Sequence, residues 1–299
     1  MNHVTRIADD RAIEVPAYQG HSRGFTRQVL VSREHGSPHM TLGVGHLAEG
    51  GSIDTVLHSF EVSMYVFSGT LLVTTQGQTN QLGPDHVICI PIGTPYTVRA
   101  VDGPAKWLNM ASSAELNDGR RQDTFFTGET LVETTPVIPD MRDPRRQNTA
   151  RFDSDSMDLA KLAGGTPVNA PTVSPSMATA LLAYSGIGVK MLVDNQVGAQ
   201  LHTMFIVDYQ PTAIAHPHDH PFEEAYVFVE GEVHALVDGE LMVFHPGDVL
   251  WAGTGADHGF ENRSTGRVRW IEVQAPQPPA RHSYRFSREW EHLAEKLAR

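Results

Sequence analysis

Apolar and polar residues alternate in short runs along most of this 299-residue chain. The runs MYVFSGTLLVTTQGQ (64–78) and VICIPIG (87–93) lie in the first half, and AYVFVEGEVHALVDGE (225–240), LMVFHPGDVLWAG (241–253) and RVRWIEVQ (267–274) in the second. All are rich in β-branched, aromatic and aliphatic residues. Period-two alternation broken by turns such as Asp238-Gly239 predicts antiparallel strands joined as hairpins. Several hairpins in each half, closing on themselves, predict an all-β chain of two tandem jelly-roll barrels. Residues 115–165 interrupt the pattern with the polar stretch ETTPVIPDMRDPRRQNTARFDSDS, which reads as a long linker. The expected organisation is therefore an N-terminal barrel over 1–114, a linker over 115–165 and a C-terminal barrel over 166–299. DSMDLAKLAGG predicts a short helix stopped by its glycines. SREWEHLAEKLAR, with Ser287 as N-cap and Trp290, Leu293 and Leu297 on one face, predicts an amphipathic C-terminal helix.

The chain is written twice. His58 aligns with His220, Gly69 with Gly231, Gly77 with Gly239, Pro84 with Pro246 and Gly93 with Gly255, each pair 162 residues apart. Phe60-Glu61 falls on Phe222-Glu223 at the same spacing. Glycine and proline have special φ requirements, so matching them means matching the schedule of turns.

Composition narrows the class. A content of 40% hydrophobic and 19% charged residues is that of a folded globular protein. No run approaches the roughly 18 to 20 apolar residues of a membrane span, and the acidic residues in MNHVTRIADDRAIEV do not suit a signal peptide. A cytoplasmic location and no membrane partner are the expectations. The formal charge of −12 argues against nucleic acid as a partner. The single cysteine, Cys89, permits no intramolecular disulfide, and in VICIPIG it reads as a buried small hydrophobe.

Chemistry concentrates in HPHDHPFEEAYVFVEG (216–231) and GDVLWAGTGADHGFEN (247–262). Spacing of two on a strand points His216, His218 and His220 to one face. Glu224 follows, and the next hairpin brings back His258. Neutral imidazoles and a carboxylate on adjacent strands are a ligand set for one divalent ion of intermediate hardness, with two positions of an octahedron left open. At the equivalent positions of the first half stand Val56, His58, Val62 and Tyr96, so that barrel is expected to be structural. Tyr226, Phe222 and Trp251 read as packing residues, Glu223 as an exposed strand residue, and His216 as a residue lining the mouth. Gln200, His202 and Met204 are looser candidates for the wall, as are Arg281 and His282 for the barrel mouth. Which face of RVRWIEVQ looks inward is open.

These motifs resemble those of the cupin superfamily. Its first motif reads Gly, five residues, His-x-His, three or four residues, Glu, six residues, Gly; here stand Thr212, His218, His220, Glu224 and Gly231. Its second reads Gly, five residues, Pro-x-Gly, two residues, His, three residues, Asn; here stand Gly247, Gly253, Gly255, His258 and Asn262. Thr212 and Gly253 depart from the pattern at turns, not at ligands. The resemblance implies His218, His220, Glu224 and His258 as metal ligands, with manganese or iron the first expectation and nickel, cobalt and zinc open. It also implies an enzyme of dioxygenase type acting on a small oxygenated or carboxylate metabolite. The two-barrel layout is similar to the (S)-ureidoglycine aminohydrolase family, whose ligands (Glu-x-His, then His, then Gln) differ; that leaves manganese-dependent aminohydrolase, lyase or isomerase chemistry as the alternative, and a metabolite-binding protein without activity as the third reading. Glu224 is the candidate catalytic residue, because a carboxylate released from a metal can act as general base. Exposed barrel edges and the terminal helix predict a homodimer or higher homo-oligomer.

Overall fold

A computed structural model describes residues 1–116, 121–140, 148–157 and 186–277, with the backbone of 285–286. Regular structure among the described residues consists of β-strands and short 3-10 turns. The predicted C-terminal helix, with Arg281 and His282 before it, lies outside the described residues, as does the helix predicted in DSMDLAKLAGG apart from a 3-10 turn over Ser154–Met157. The chain forms two compact units, one of residues 7–152 and 193–202, the other of residues 1–6, 153–192 and 203–299. The division falls within the stretch read as linker, between 152 and 153, and each unit also takes in a short segment distant in sequence. One of these is the first strand, β1 (Asn2–Arg6), which belongs to the C-terminal unit.

The N-terminal unit is built on β2 (Ser22–Val31), β3 (Thr41–His58), β4 (Glu61–Thr75), β5 (Gln78–Leu82), β6 (His86–Ile90), β7 (Tyr96–Ser112), β8 (Thr124–Phe126) and β9 (Thr149–Arg151). They pair in the order β2-β3-β7-β4-β6-β9, with β5 on β4 and β8 on β3. Register shifts between Leu47 and Ser52 and between Ser68 and Thr70 let the long strands β3 and β4 bend. The bend in β4 needs Gly69: its φ is +76°, and a Cβ there would sit 2.1 Å from the Pro104 carbonyl oxygen. Val56, Val62, Met64, Leu71, Val73, Val98 and Trp107 form the buried core within. Strands β8 and β9 fall in the stretch read as linker, where three residues are too few to show a period.

The C-terminal unit has two sheets. One runs β1-β16-β13-β18-β11-β10 and the other β15-β14-β17-β12-β19. Its strands are β10 (Ile187–Val193), β11 (Thr203–Tyr209), β12 (Ile214–Asp219), β13 (Glu223–Glu230), β14 (Val233–Val237), β15 (Glu240–Phe244), β16 (Asp248–Ala252), β17 (His258–Glu261), β18 (Val268–Ala275) and β19 (Arg285–Phe286). Asp238 and Gly239, at φ +47° and +87°, make the two-residue turn between β14 and β15. Gly231 repeats the role of Gly69, with φ +79° and a Cβ position 2.6 Å from Val268 Cγ1. Phe205, Val207, Tyr226, Phe228, Leu250, Phe260 and Trp270 fill the core, and aromatic contacts such as Phe228 on Phe244 at 4.6 Å fix its packing.

Candidate metal centre

Strand pairing brings two of the predicted ligands together, and a third follows at the strand's end. His218 on β12 lies opposite His258 on β17, after a register shift that follows Ala215. His220 stands just past the end of β12, its ring stacked on Phe222 at 4.1 Å and 4°. Ligand atoms of His218, His220 and His258 lie within 4.8 Å of one another, and all three residues are buried. Glu224 on β13 completes the group, with Oε2 2.8 Å from His220 Nε2 and 3.3 Å from His258 Nε2.

The tautomers follow from the hydrogen bonds. Nδ1 of His218 donates to the His216 carbonyl (2.8 Å), that of His220 to the Phe222 carbonyl (2.8 Å), and that of His258 to the Ala256 carbonyl (2.9 Å). A carbonyl oxygen can only accept, so each Nδ1 carries the proton and each neutral ring is left with its lone pair on Nε2. The short contacts between Nε2 of His220 or His258 and Glu224 would then join acceptor to acceptor. Such contacts hold together only when a cation is supplied, either a proton on an imidazole or a metal ion. The residues therefore fit a divalent metal, with His218, His220, His258 and Glu224 to hold it.

The electrostatics agree with a site short of positive charge. Burial disfavours charge on His220, yet the Glu224 carboxylate raises its pKa above the ordinary imidazole value. Burial opposes ionisation of Glu224 too, but His220 and His258 hold its pKa well below the usual carboxylate range. His218 is pushed down to about 3 by burial and by His258. It is kept neutral, as a ligand must be.

Three further residues enter the site. Tyr226 touches Glu224 through its hydroxyl, which also lies 2.9 Å from His258 Nε2, so it does more than the packing expected of it. On β18, Val268 and Trp270 join the core cluster, which turns Glu272 and Gln274 to the same inner face. Gln274 Nε2 donates to Glu224 Oε1 at 2.5 Å. Glu272 accepts from the Trp270 indole at 3.0 Å, and burial, with the negative charge of Glu224, raises its pKa well above the usual range. Both causes favour its neutral form. Register places these residues in pairs, Glu224 opposite Gln274 and Tyr226 opposite Glu272.

Glu223, expected to be exposed, is buried and accepts from the Trp251 indole at 3.0 Å. The indole supplies the partner that lets a carboxylate leave water. His216 is half-buried and supplies a carbonyl to His218. Met204 is packed out of solvent on β11.

The equivalent position in the N-terminal unit is closed. Val56 and Val62 belong to its apolar core. His58 is engaged by the Tyr96 hydroxyl at 2.9 Å and the Thr124 hydroxyl at 3.1 Å. Glu61 does not meet His58; its carboxylate faces His202. Burial lowers the pKa of His58 to about 4, with the Glu115 carboxylate opposing and Arg27 adding to the shift. An unfolded histidine titrates near 6.5, so between about pH 6.5 and 4 the unfolded chain takes up a proton that the native unit refuses. Stability is expected to fall as pH drops through that window, by roughly 3 kcal/mol from this residue. His58→Gln should flatten that part of the profile in denaturant unfolding at pH 7, 6, 5 and 4; an unchanged slope would contradict this.

Residues 205–274 match the cupin domain family model. No curated protein matches the chain by sequence. Solved structures do match. Oxalate decarboxylase of Lactobacillus farciminis in its formate complex has a TM-score of 0.63 at 16% identity, over 99% of this chain and 93% of that one. Oxalate decarboxylase of Bacillus subtilis gives 0.60 at 15%, over 94% and 81%. A variant of salicylate 1,2-dioxygenase from Pseudoaminobacter salicylatoxidans in complex with gentisate gives 0.61 at 12%, over 80% and 69%. At such identities the likeness concerns the fold. The C-terminal unit thus carries a cupin domain with a buried three-histidine cluster, in a chain whose two-barrel fold is that of these enzymes.

Proposed function

We propose that this protein is a metal-dependent enzyme of dioxygenase type, which acts on a small oxygenated or carboxylate metabolite in the C-terminal barrel. The observation that carries the proposal is the convergence of three Nε2 lone pairs and the Glu224 carboxylate in the buried interior of the cupin domain. A bound divalent transition metal supplies Lewis acidity and, where redox-active, access to dioxygen. His218, His220, His258 and Glu224 would hold such an ion, which would act on an oxygen of the substrate. The other residues prepare the surroundings. Tyr226 and Gln274 hold Glu224 in place from two sides. The aromatic rings of Tyr226, Phe260 and Trp270, packed at 4.8 to 6.3 Å, keep the inner wall dry.

One observation favours a second reading. Glu272 is a buried carboxyl whose pKa is raised well above the usual range by burial and by the Glu224 charge, and its neighbour, Gln274, holds Glu224. A proton donor so placed suits chemistry without net oxidation, such as hydrolytic release of ammonia or loss of carbon dioxide. The experiment is elemental analysis of the purified protein, followed by parallel measurement of oxygen uptake, carbon dioxide and ammonia. Manganese- and iron-loaded samples would be offered catechols, enols, hydroxycarboxylates, oxalate and ureides. Oxygen uptake is the expected result. Ammonia or carbon dioxide without oxygen uptake selects the second reading, and a metal-loaded protein that turns over nothing in the panel overturns both.

A further inference from the structure

The N-terminal unit contains a second gathering of ligand-type side chains, away from its closed cupin position. Glu61 opens β4, and Cys89 on β6 stands in register opposite Ser63. The segment 193–202, which packs in this unit, ends with His202. Ligand atoms of Glu61, Cys89 and His202 lie within 4.8 Å of one another, and the residues are 1%, 0% and 0% exposed. His202 Nδ1 is 2.9 Å from Glu61 Oε1, and its Nε2 is 2.8 Å from Ser63 Oγ. Glu61 also accepts from the backbone amides of Gln200 (2.8 Å) and Leu201 (3.2 Å), which sets its orientation.

From this geometry we propose that Glu61, Cys89 and His202 form a second metal site, for a thiophilic divalent ion of the zinc class. One sulfur, one imidazole nitrogen and one carboxylate oxygen are ligands that such an ion takes together. Across a tetrahedral ion, sulfur and nitrogen are about 3.6 Å apart, so the cluster closes around the ion by small side-chain rotations. Ser63 Oγ borders the cluster as the nearest further oxygen. Binding replaces the S–H bond by a sulfur–metal bond and releases the proton to solvent.

The duplicated half shows that the barrel itself does not require this set. Glu61 and Cys89 correspond, 162 residues on, to Glu223 and Trp251. There the carboxylate is satisfied by an indole N–H at 3.0 Å. A plain packing solution thus exists for the same strand positions. The alternative role for Cys89, a reactive thiol, is closed off because burial, with the nearby Glu61 charge, pushes its pKa up to about 12.

Cys89 is the only cysteine in the chain, and this makes the test clean. Protein produced in cobalt-supplemented medium is expected to show a sulfur-to-cobalt charge-transfer band in the near ultraviolet. The ligands of the C-terminal barrel, all nitrogen and oxygen, cannot give one. The band should persist when His218 and His220 are both replaced by alanine, and should vanish in Cys89→Ala with loss of one metal equivalent per chain. His202→Gln should also lose the equivalent. Absence of the band from cobalt-grown wild-type protein, with metal content unchanged in Cys89→Ala, overturns the proposal whether or not the C-terminal site holds an ion.

Discussion

Replacement of His220 or His258 by alanine is expected to remove one divalent ion per chain and, with it, all turnover in the C-terminal barrel. The expectation rests on how the rings are held. Each has its Nδ1 fixed on a backbone carbonyl of its own strand end or turn, so the Nε2 atoms are aimed before any ion arrives. Residues that merely support a metal ligand are typically worth 10 to 100-fold in affinity, so loss of a ligand itself should cost more than about 100-fold. Elemental analysis after dialysis, with circular dichroism to confirm folding, reads the effect. His58→Ala, at the corresponding place in the closed N-terminal barrel, should leave the metal content as it was. If the His220 and His258 variants kept their full metal complement, the site would have been misassigned.

The largest effect on stability is expected from Arg269→Ala. Arg269 on β18 and Asp208 on β11 face each other in register, and the guanidinium grips the carboxylate with Nε at 2.5 Å and Nη2 at 2.9 Å. Asp208 is 1% exposed. Removal of the arginine leaves a buried carboxylate without its main cation, a change that typically costs about 3 to 5 kcal/mol. Arg267, with Nη1 3.8 Å from Asp208, offsets a part. Strand β18 carries Glu272 and Gln274 on its other face, so the damage should reach the site as well. Denaturant unfolding measures the loss, and the double variant Asp208→Leu with Arg269→Met should recover most of it. A single-variant loss under about 1 kcal/mol would show that the pair is not the clamp described.

The clustering of His218, His220 and His258 was legible because it depends on a short motif. A period of two puts His218 and His220 on one face, and the spaced second motif supplies His258 on β17, which pairs with β12 across the intervening hairpins. Even the departure at Thr212 is absorbed: the residue adopts φ +67°, as Gly50 does at +63° in the other copy. The supporting residues were not legible, for a physical reason. Both faces of β18 are buried, so alternation could not tell the side of Glu272 and Gln274 from that of Arg269. Tyr226 packs like any core aromatic, and only its hydroxyl contacts mark it. Glu223 looked exposed because no local pattern foretells that Trp251, 28 residues later, covers it with a donor. The cluster around His202 needed the tertiary assignment of residues 193–202, which no period encodes.

The placement of β1 bears on how the protein can be dissected. Residues 2–6 hydrogen-bond along β16 as the outermost strand of the C-terminal sheet, while residues 193–202 pack in the N-terminal unit. A cut through the polar middle of the chain would strip the C-terminal barrel of its protective border and leave a row of amide and carbonyl groups ready to template foreign strands. Sticky, aggregating halves from such a cut would say nothing against either barrel.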